Sequence, residues 1–218
     1  MSFLNPQDFI ITRKRKLYKF ALFNNSSICF EFNDWNPERT EVDNLEIGAG
    51  TGLFSECLAL KNPNKKFVAI DVKADRLVKG AQQAENDQLR NIRFLRARAD
   101  QLLEAFAPHS IKYIWITFPD PYPKKRNAGR RLTHPTFLKI YKELLREDGA
   151  LYFKTDAKEL FDWSLEQMVA KGWQIQRLSF DLHESDLNEN YKVMTTYERR
   201  FISEGLKINF VKALPPQN

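Results

Sequence analysis

"NLEIGAGTGLFSECLALK" (residues 44–61), followed by "KFVAID" (66–71), decides the fold. "NLEIG" reads as an apolar strand, and Leu53, Phe54, Cys57 and Leu58 fall on one face of the helix that comes next. Between them, Gly48, Gly50 and Gly52 let the backbone turn tightly and approach a ligand closely. "KFVAID" then returns the chain as a second strand. A strand, a glycine turn, a helix and a strand form the opening unit of a parallel sheet.

The same alternation continues downstream. Leu77, Val78 and Ala81 mark a second helix, and "IRFLRA" (92–97) and "IKYIWITF" (111–118) are further strands. "THPTFLKIYKELLREDG" (133–149) places Pro135 in a first helical turn and ends on an Asp-Gly stop. "ALYFKTD" (150–156) is a fifth strand, and Leu160, Phe161, Leu165 and Met168 form a helix closed by Gly172. "WQIQRLSFDL" (173–182) and "LKINFVKAL" (206–214) read as two late strands separated by a loop. The pattern predicts an α/β fold over residues 41–218: a doubly wound, mainly parallel, seven-stranded sheet with an antiparallel C-terminal strand. Residues 1–40 read as a partly flexible basic arm carrying Arg13, Lys14, Arg15, Lys16 and Lys19.

Composition narrows the function without naming it. A chain of 218 residues is most simply one domain with a full core. Lys and Arg outnumber Asp and Glu by 34 to 28, for a net charge of +6, which is compatible with a nucleic-acid partner without requiring one. Cys29 and Cys57 lack pairing or metal spacing and read as free thiols. His109, His134 and His183 are scattered singly, so no metal site and no catalytic histidine is expected. With no apolar run of membrane-spanning length and no leader pattern, the chain is expected in the cytoplasm.

In a parallel sheet, ligands bind beyond the carboxyl ends of the strands. There the glycine turn is preceded by Glu46, and the second strand ends on Asp71. A carboxylate at the second position can accept hydrogen bonds from both hydroxyls of an adenosine ribose. The glycines alone are explained by a turn needing positive φ; with Asp71 they point to a nucleoside cofactor. Glu46 would repel the pyrophosphate of a dinucleotide but suits the sulfonium and ammonium of S-adenosylmethionine.

"WITFPDPYPKKRNAGRR" (115–131) runs from the fourth strand through three prolines around Asp120 into Lys124, Lys125, Arg126, Arg130 and Arg131. Loops of this length inside a compact domain are usually functional or disordered. A solvated charge run is the plain alternative, but solubility needs no proline brace around an aspartate. Asp156 closes the fifth strand, either as a helix N-cap or as a second carboxylate at the ligand edge. "TTYERR" (195–200), placed in the late loop, adds Thr195, Thr196, Tyr197 and Glu198. A carboxylate there could receive guanine N1–H and N2–H₂, while a salt-bridged surface strand is the alternative.

"EIGAGTG", "AID", "NIRFLRA", "FPDPYPKKR", "RRLTHPTF", "TD" and "TTYE" together resemble the bacterial tRNA (guanine-N7-)-methyltransferase family over residues 44 to about 200. The resemblance implies a class I methyltransferase sheet, S-adenosylmethionine as cofactor, tRNA as partner and N7 of a variable-loop guanosine as target. It also implies that Glu46, Gly48, Asp71 and, near the adenine, Arg98 contact the cofactor, that Asp120, at the junction of cofactor and base, is the catalytic aspartate, and that Lys124, Asp156 and Thr195–Glu198 meet the guanosine. Some positions depart from the pattern. Arg98 and Ala99 stand where the family has Asp-Ala near the adenine, Tyr122 replaces a tryptophan, Thr196 replaces a lysine, and the Arg-Pro before the late motif is missing. Two other readings stay open. One is a base or amino-group methyltransferase, since "DPYP" is a cousin of the Asp-Pro-Pro-aromatic element. The other is a catalytically silent tRNA-binding subunit, with Arg98 in its favour.

Overall fold

The computed structural model describes residues 14–36, 42–194 and 196–217. The strands are β1 (Cys29–Glu31), β2 (Val42–Ile47), β3 (Phe67–Asp71), β4 (Ile92–Arg96), β5 (Ile111–Thr117), β6 (Leu145–Thr155), β7 (Gln174–Ser179) and β8 (Asn209–Leu214). They form one eight-stranded sheet in the order β1-β4-β3-β2-β5-β6-β8-β7. Every pairing from β1 through β6 is parallel, and β8 runs antiparallel to both β6 and β7. The expected parallel sheet with its reversed C-terminal strand is present, and one strand more. Strand β1 lies in the stretch read as part of the arm. Three residues show no usable periodicity, and only the pairing of Cys29–Glu31 with Phe94–Arg96 makes them a strand.

The helices are α1 (Lys14–Asn25), α2 (Leu53–Lys61), α3 (Ala74–Asn86), α4 (Leu102–Ala105), α5 (Pro135–Leu144), α6 (Lys158–Ala170) and α7 (Thr196–Ser203). Helix α7 covers a stretch read as loop. Alternation along each strand sorts side chains onto two faces. Leu45, Ile47, Val68, Ile70, Ile114, Ile116, Leu151 and Phe153 pack in one core with Leu138 and Tyr141 of α5 and Phe161 of α6. Phe67, Ala69, Trp115, Ala150, Tyr152 and Phe210 pack in the other with Phe23 of α1, Phe54 of α2 and Leu77 of α3, together with Leu182, Val193 and Ile208.

The alternation also fixes where three polar residues go. Glu46, Thr117 and Lys154 alternate with residues of the first core, so they point to the face covered by α2. All three lie near the carboxyl ends of adjacent strands and all are buried. Helix α3 comes unusually close to the glycine turn. The Gly80 amide donates to the Thr51 carbonyl at 2.8 Å, and a Cβ at Gly80 would sit 2.5 Å from that oxygen. Among the described residues no helix is long and apolar enough to cross a membrane.

Candidate active site

A cavity of about 520 Å³ opens at the carboxyl ends of β2, β3, β5 and β6. Its floor is the glycine turn. Gly48, Gly50 and Gly52 have φ of 71°, 56° and 70°, in the left-handed region that favours glycine. Gly50 is fastened to the next strand: its amide donates to Asp71 Oδ2 at 2.8 Å, and the Lys73 amide donates to Asp71 Oδ1 at 2.8 Å. Asp71 is therefore held at the cavity wall with both oxygens oriented and remaining lone pairs to offer. Burial pushes its carboxyl above the ordinary value, opposed by the two amides and then by Arg76 and Lys73.

Glu46 lies beneath the turn, 1% exposed. Ser55 donates to Oε2 and Thr117 to Oε1, each at 2.6 Å. Burial pushes its carboxyl up to about 7, against the pull of the two hydroxyls. A cation drawn into the cavity would favour the ionised form, as expected for a sulfonium or ammonium and not for a phosphate. The donor set therefore fits S-adenosylmethionine: a carboxylate for ribose hydroxyls, a buried acid for positive charge, and a turn that admits close backbone approach.

The mouth of the cavity is the proline elbow. Asp120 is exposed there and lines the cavity. Two residues before it, Phe118 has φ of 49°, and two residues after it, Tyr122 has φ of 42°. Left-handed backbone at non-glycine residues costs about 1–3 kcal/mol and persists where surrounding structure imposes it. The impositions are visible. The Phe118 amide donates to the Lys154 carbonyl at 2.9 Å, and its ring packs against Phe201 of α7 at 5.6 Å. Arg131 donates from Nε and Nη2 to the Tyr122 carbonyl at 3.3 and 3.1 Å and stacks on Trp163 at 4.4 Å. Arg130 lies over the Tyr122 ring at 4.5 Å.

The five cations after the elbow are thus of two kinds. Arg131 is an internal brace, and Arg130, itself exposed, packs on Tyr122 at the cavity rim. Lys124, Lys125 and Arg126 are exposed, the last two on a 3-10 helix spanning Lys125–Arg130. Asp156 lines the cavity and caps no helix. Thr155 Oγ1 takes the Ala157 amide at 3.1 Å instead. Burial raises the Asp156 carboxyl, offset by nearby backbone amides.

Arg98 does not join the site. Its guanidinium faces solvent in a bidentate pair with Asp100, both contacts 2.8 Å, while the small neighbours Ala97 and Ala99 line the cavity. Thr195 lies outside the described residues, as do the side chains of Thr196 and Tyr197. Glu198 is buried and bonded to Lys154 and His183, away from solvent. Sequence reading missed Thr117, Ser55, Lys154 and Phe201. Thr117 and Lys154 carried a signal, since each is a polar residue on the α2-facing side of its strand near the carboxyl end, and Ser55 reaches Glu46 from α2 itself.

Asp71→Ala should weaken binding of a ribose-bearing cofactor by about 1–3 kcal/mol, because two hydroxyls lose their acceptor. Titration calorimetry with S-adenosylmethionine measures this, and an unchanged affinity would remove Asp71 from the site.

Comparison with known proteins agrees with this geometry. A family model described as "Putative methyltransferase" matches residues 40–211. The tRNA (guanine-N(7)-)-methyltransferase of Brevibacillus brevis is 42% identical over 169 residues, 78% of this chain and 78% of that one. The enzyme of the same name from Lachnoclostridium phytofermentans is 41% identical over 165 residues, covering 76% and 77%. Among solved structures, the 16S rRNA methyltransferase KamB superposes with a TM-score of 0.60 at 17% identity, covering 82% of this chain and 90% of that one, a likeness of fold. By its sequence relatives and the matching model, the chain belongs to the tRNA (guanine-N(7)-)-methyltransferase family of S-adenosylmethionine-dependent enzymes.

Proposed function

We propose that this protein methylates N7 of a guanosine in tRNA, in the variable loop by family resemblance, with Asp120 as the catalytic group. The observation that carries the reading is a single continuous site. The cavity suited to S-adenosylmethionine opens beside Asp120, and the exposed cations Lys124, Lys125 and Arg126 follow within six residues of it. S-adenosylmethionine supplies a methyl group on a cationic sulfur. Guanine N7 carries a lone pair and no proton, so no general base is required. The chain's work is alignment, which can be worth roughly 7–11 kcal/mol. The carboxylate of Asp120 orients the base and favours the positive charge that develops on its imidazole ring. Asp71 and the glycine turn hold the cofactor's ribose and backbone-facing parts. Lys124 and Asp156 contact the guanosine, and Lys125 and Arg126 hold phosphates. The protein works in the cytoplasm, where its tRNA substrate is processed.

Methyl transfer to unmodified tRNA, with the product position mapped by nucleoside analysis, tests the reading. The expected product is 7-methylguanosine. Methylation of an exocyclic amine, or no transfer, overturns it. The phosphate contacts have their own measure. Each releases counterions, so log affinity falls with log salt by about 0.7–0.9 per contact. Lys125→Ala/Arg126→Ala should flatten the tRNA salt slope by up to about two units and leave cofactor binding intact. A wild-type slope in the double variant would make the helix a solvated charge run.

A further inference from the structure

The late motif offers Glu198 as a guanine acceptor, but its carboxylate is already engaged. Glu198 is fully buried. Lys154 Nζ lies 2.7 Å from Oε1 and 2.9 Å from Oε2, and His183 Nε2 donates to Oε1 at 2.8 Å. Lys154 also donates to the Val193 carbonyl at 3.1 Å, on the segment entering α7. The ammonium is itself fully buried, 5.6 Å from the centre of the Phe54 ring. Were Glu198 to turn toward a base, it would leave that ammonium in the core without its counter-charge, the costliest way to break a buried pair.

The ion pair also sets the cavity. One helical turn beyond Glu198, Phe201 lines the cavity and packs against Phe118, the left-handed residue from which the Asp120 elbow departs. Lys154 reaches the same elbow by a second route, since its carbonyl accepts the Phe118 amide at 2.9 Å. One residue of β6 therefore fixes both α7 and the start of the elbow. Asp156, two residues further along, is one of the carboxylates that line the cavity.

We propose that Glu198 is a positioning residue: with Lys154 and His183 it docks α7, sets Phe201 against Phe118 and so places Asp120, and it takes no hydrogen bond from the target base. This rests on methyl transfer taking place in this cavity, yet two of its readouts need no tRNA.

Glu198→Gln keeps the shape and removes the counter-charge of Lys154. The melting temperature should fall by about 5–10 °C, and S-adenosylmethionine should bind severalfold more weakly because the Phe201 wall loosens. A direct base acceptor would behave differently: wild-type melting and wild-type cofactor affinity, with methyl transfer alone lost. That result overturns the proposal. The second comparison is Glu198→Leu against Lys154→Met/Glu198→Leu. Replacing both charges of a buried pair by apolar groups is often tolerated where removing one is not. The double variant should regain at least about tenfold in methyl transfer over Glu198→Leu, one decade being a 1.4 kcal/mol coupling of neighbouring sites. A folded double variant with wild-type cofactor affinity and no more transfer than Glu198→Leu overturns the proposal. Glu198→Gln, nearest in shape to the native residue, decides the matter should the double variant not fold. Failure of the wild type to methylate tRNA would count against the assigned reaction and leave the melting and cofactor readouts interpretable.

Discussion

Asp120→Asn should lower kcat for methyl transfer by about 10²- to 10³-fold, with little change in tRNA or cofactor affinity. The substitution preserves size and hydrogen-bonding reach and removes only the charge. Its surroundings favour a clean result. Pro119 and Pro121 fix the backbone on either side, and the left-handed Phe118 and Tyr122 are held by contacts that do not involve the Asp120 carboxylate. The charge should matter most in the transition state, when positive charge moves onto the base. Steady-state kinetics at saturating tRNA and S-adenosylmethionine measure the effect. Turnover within a few fold of wild type would reduce Asp120 to a structural part of the elbow.

Gly80→Ala should destabilise the protein by about 3 kcal/mol, opposite to the usual sign for this substitution in a helix. On an isolated helix alanine is favoured over glycine by about 1 kcal/mol. Here the added Cβ would sit 2.5 Å from the Thr51 carbonyl oxygen, and 2.9 Å from both the Gly52 carbonyl carbon and a Phe94 ring carbon. Two of those atoms are backbone of the glycine turn, so relief requires moving the turn or the helix. Moving the turn pulls Gly50 from Asp71, so cofactor affinity should fall with stability. A melting temperature lowered by about 6–12 °C is expected. An unchanged or higher value would mean that α3 and the turn separate at little cost.

What the sequence disclosed, it disclosed through periodicity and spacing. Alternating strands and amphipathic helices from residue 43 onward gave the sheet, and glycines followed by a strand-end aspartate gave one wall of the cavity. Asp120 stood out because three prolines brace it. The features that escaped depend on contacts distant along the chain. Strand β1 exists through pairing with β4, 65 residues away between Glu31 and Arg96. Arg131 looked like its cationic neighbours until its guanidinium was found between Trp163 and the Tyr122 carbonyl. Glu198 and Lys154 are 44 residues apart, and nothing in either local sequence announces the partner. Arg98 was misleading for the converse reason: its partner, Asp100, is two residues away and turns it outward.

The place of β8 in the sheet has a consequence for how the molecule assembles. Strand β8 follows both of its sheet neighbours along the chain, yet it lies between them. Domains form as units while synthesis proceeds from the N-terminus, and pairings between distant segments wait for loop closure. The parallel sheet from β1 to β6 can therefore consolidate first, with the apolar edge of β6 at Leu151, Tyr152 and Phe153 still open, a template for mispairing with other chains. Until β8 arrives, β7 has no strand beside it, and α7, which is threaded between β7 and β8, has no fixed seat. Folding thus ends at the cavity: a nascent chain can hold a nearly complete sheet before Phe201 and the Lys154 ion pair bring the elbow into order.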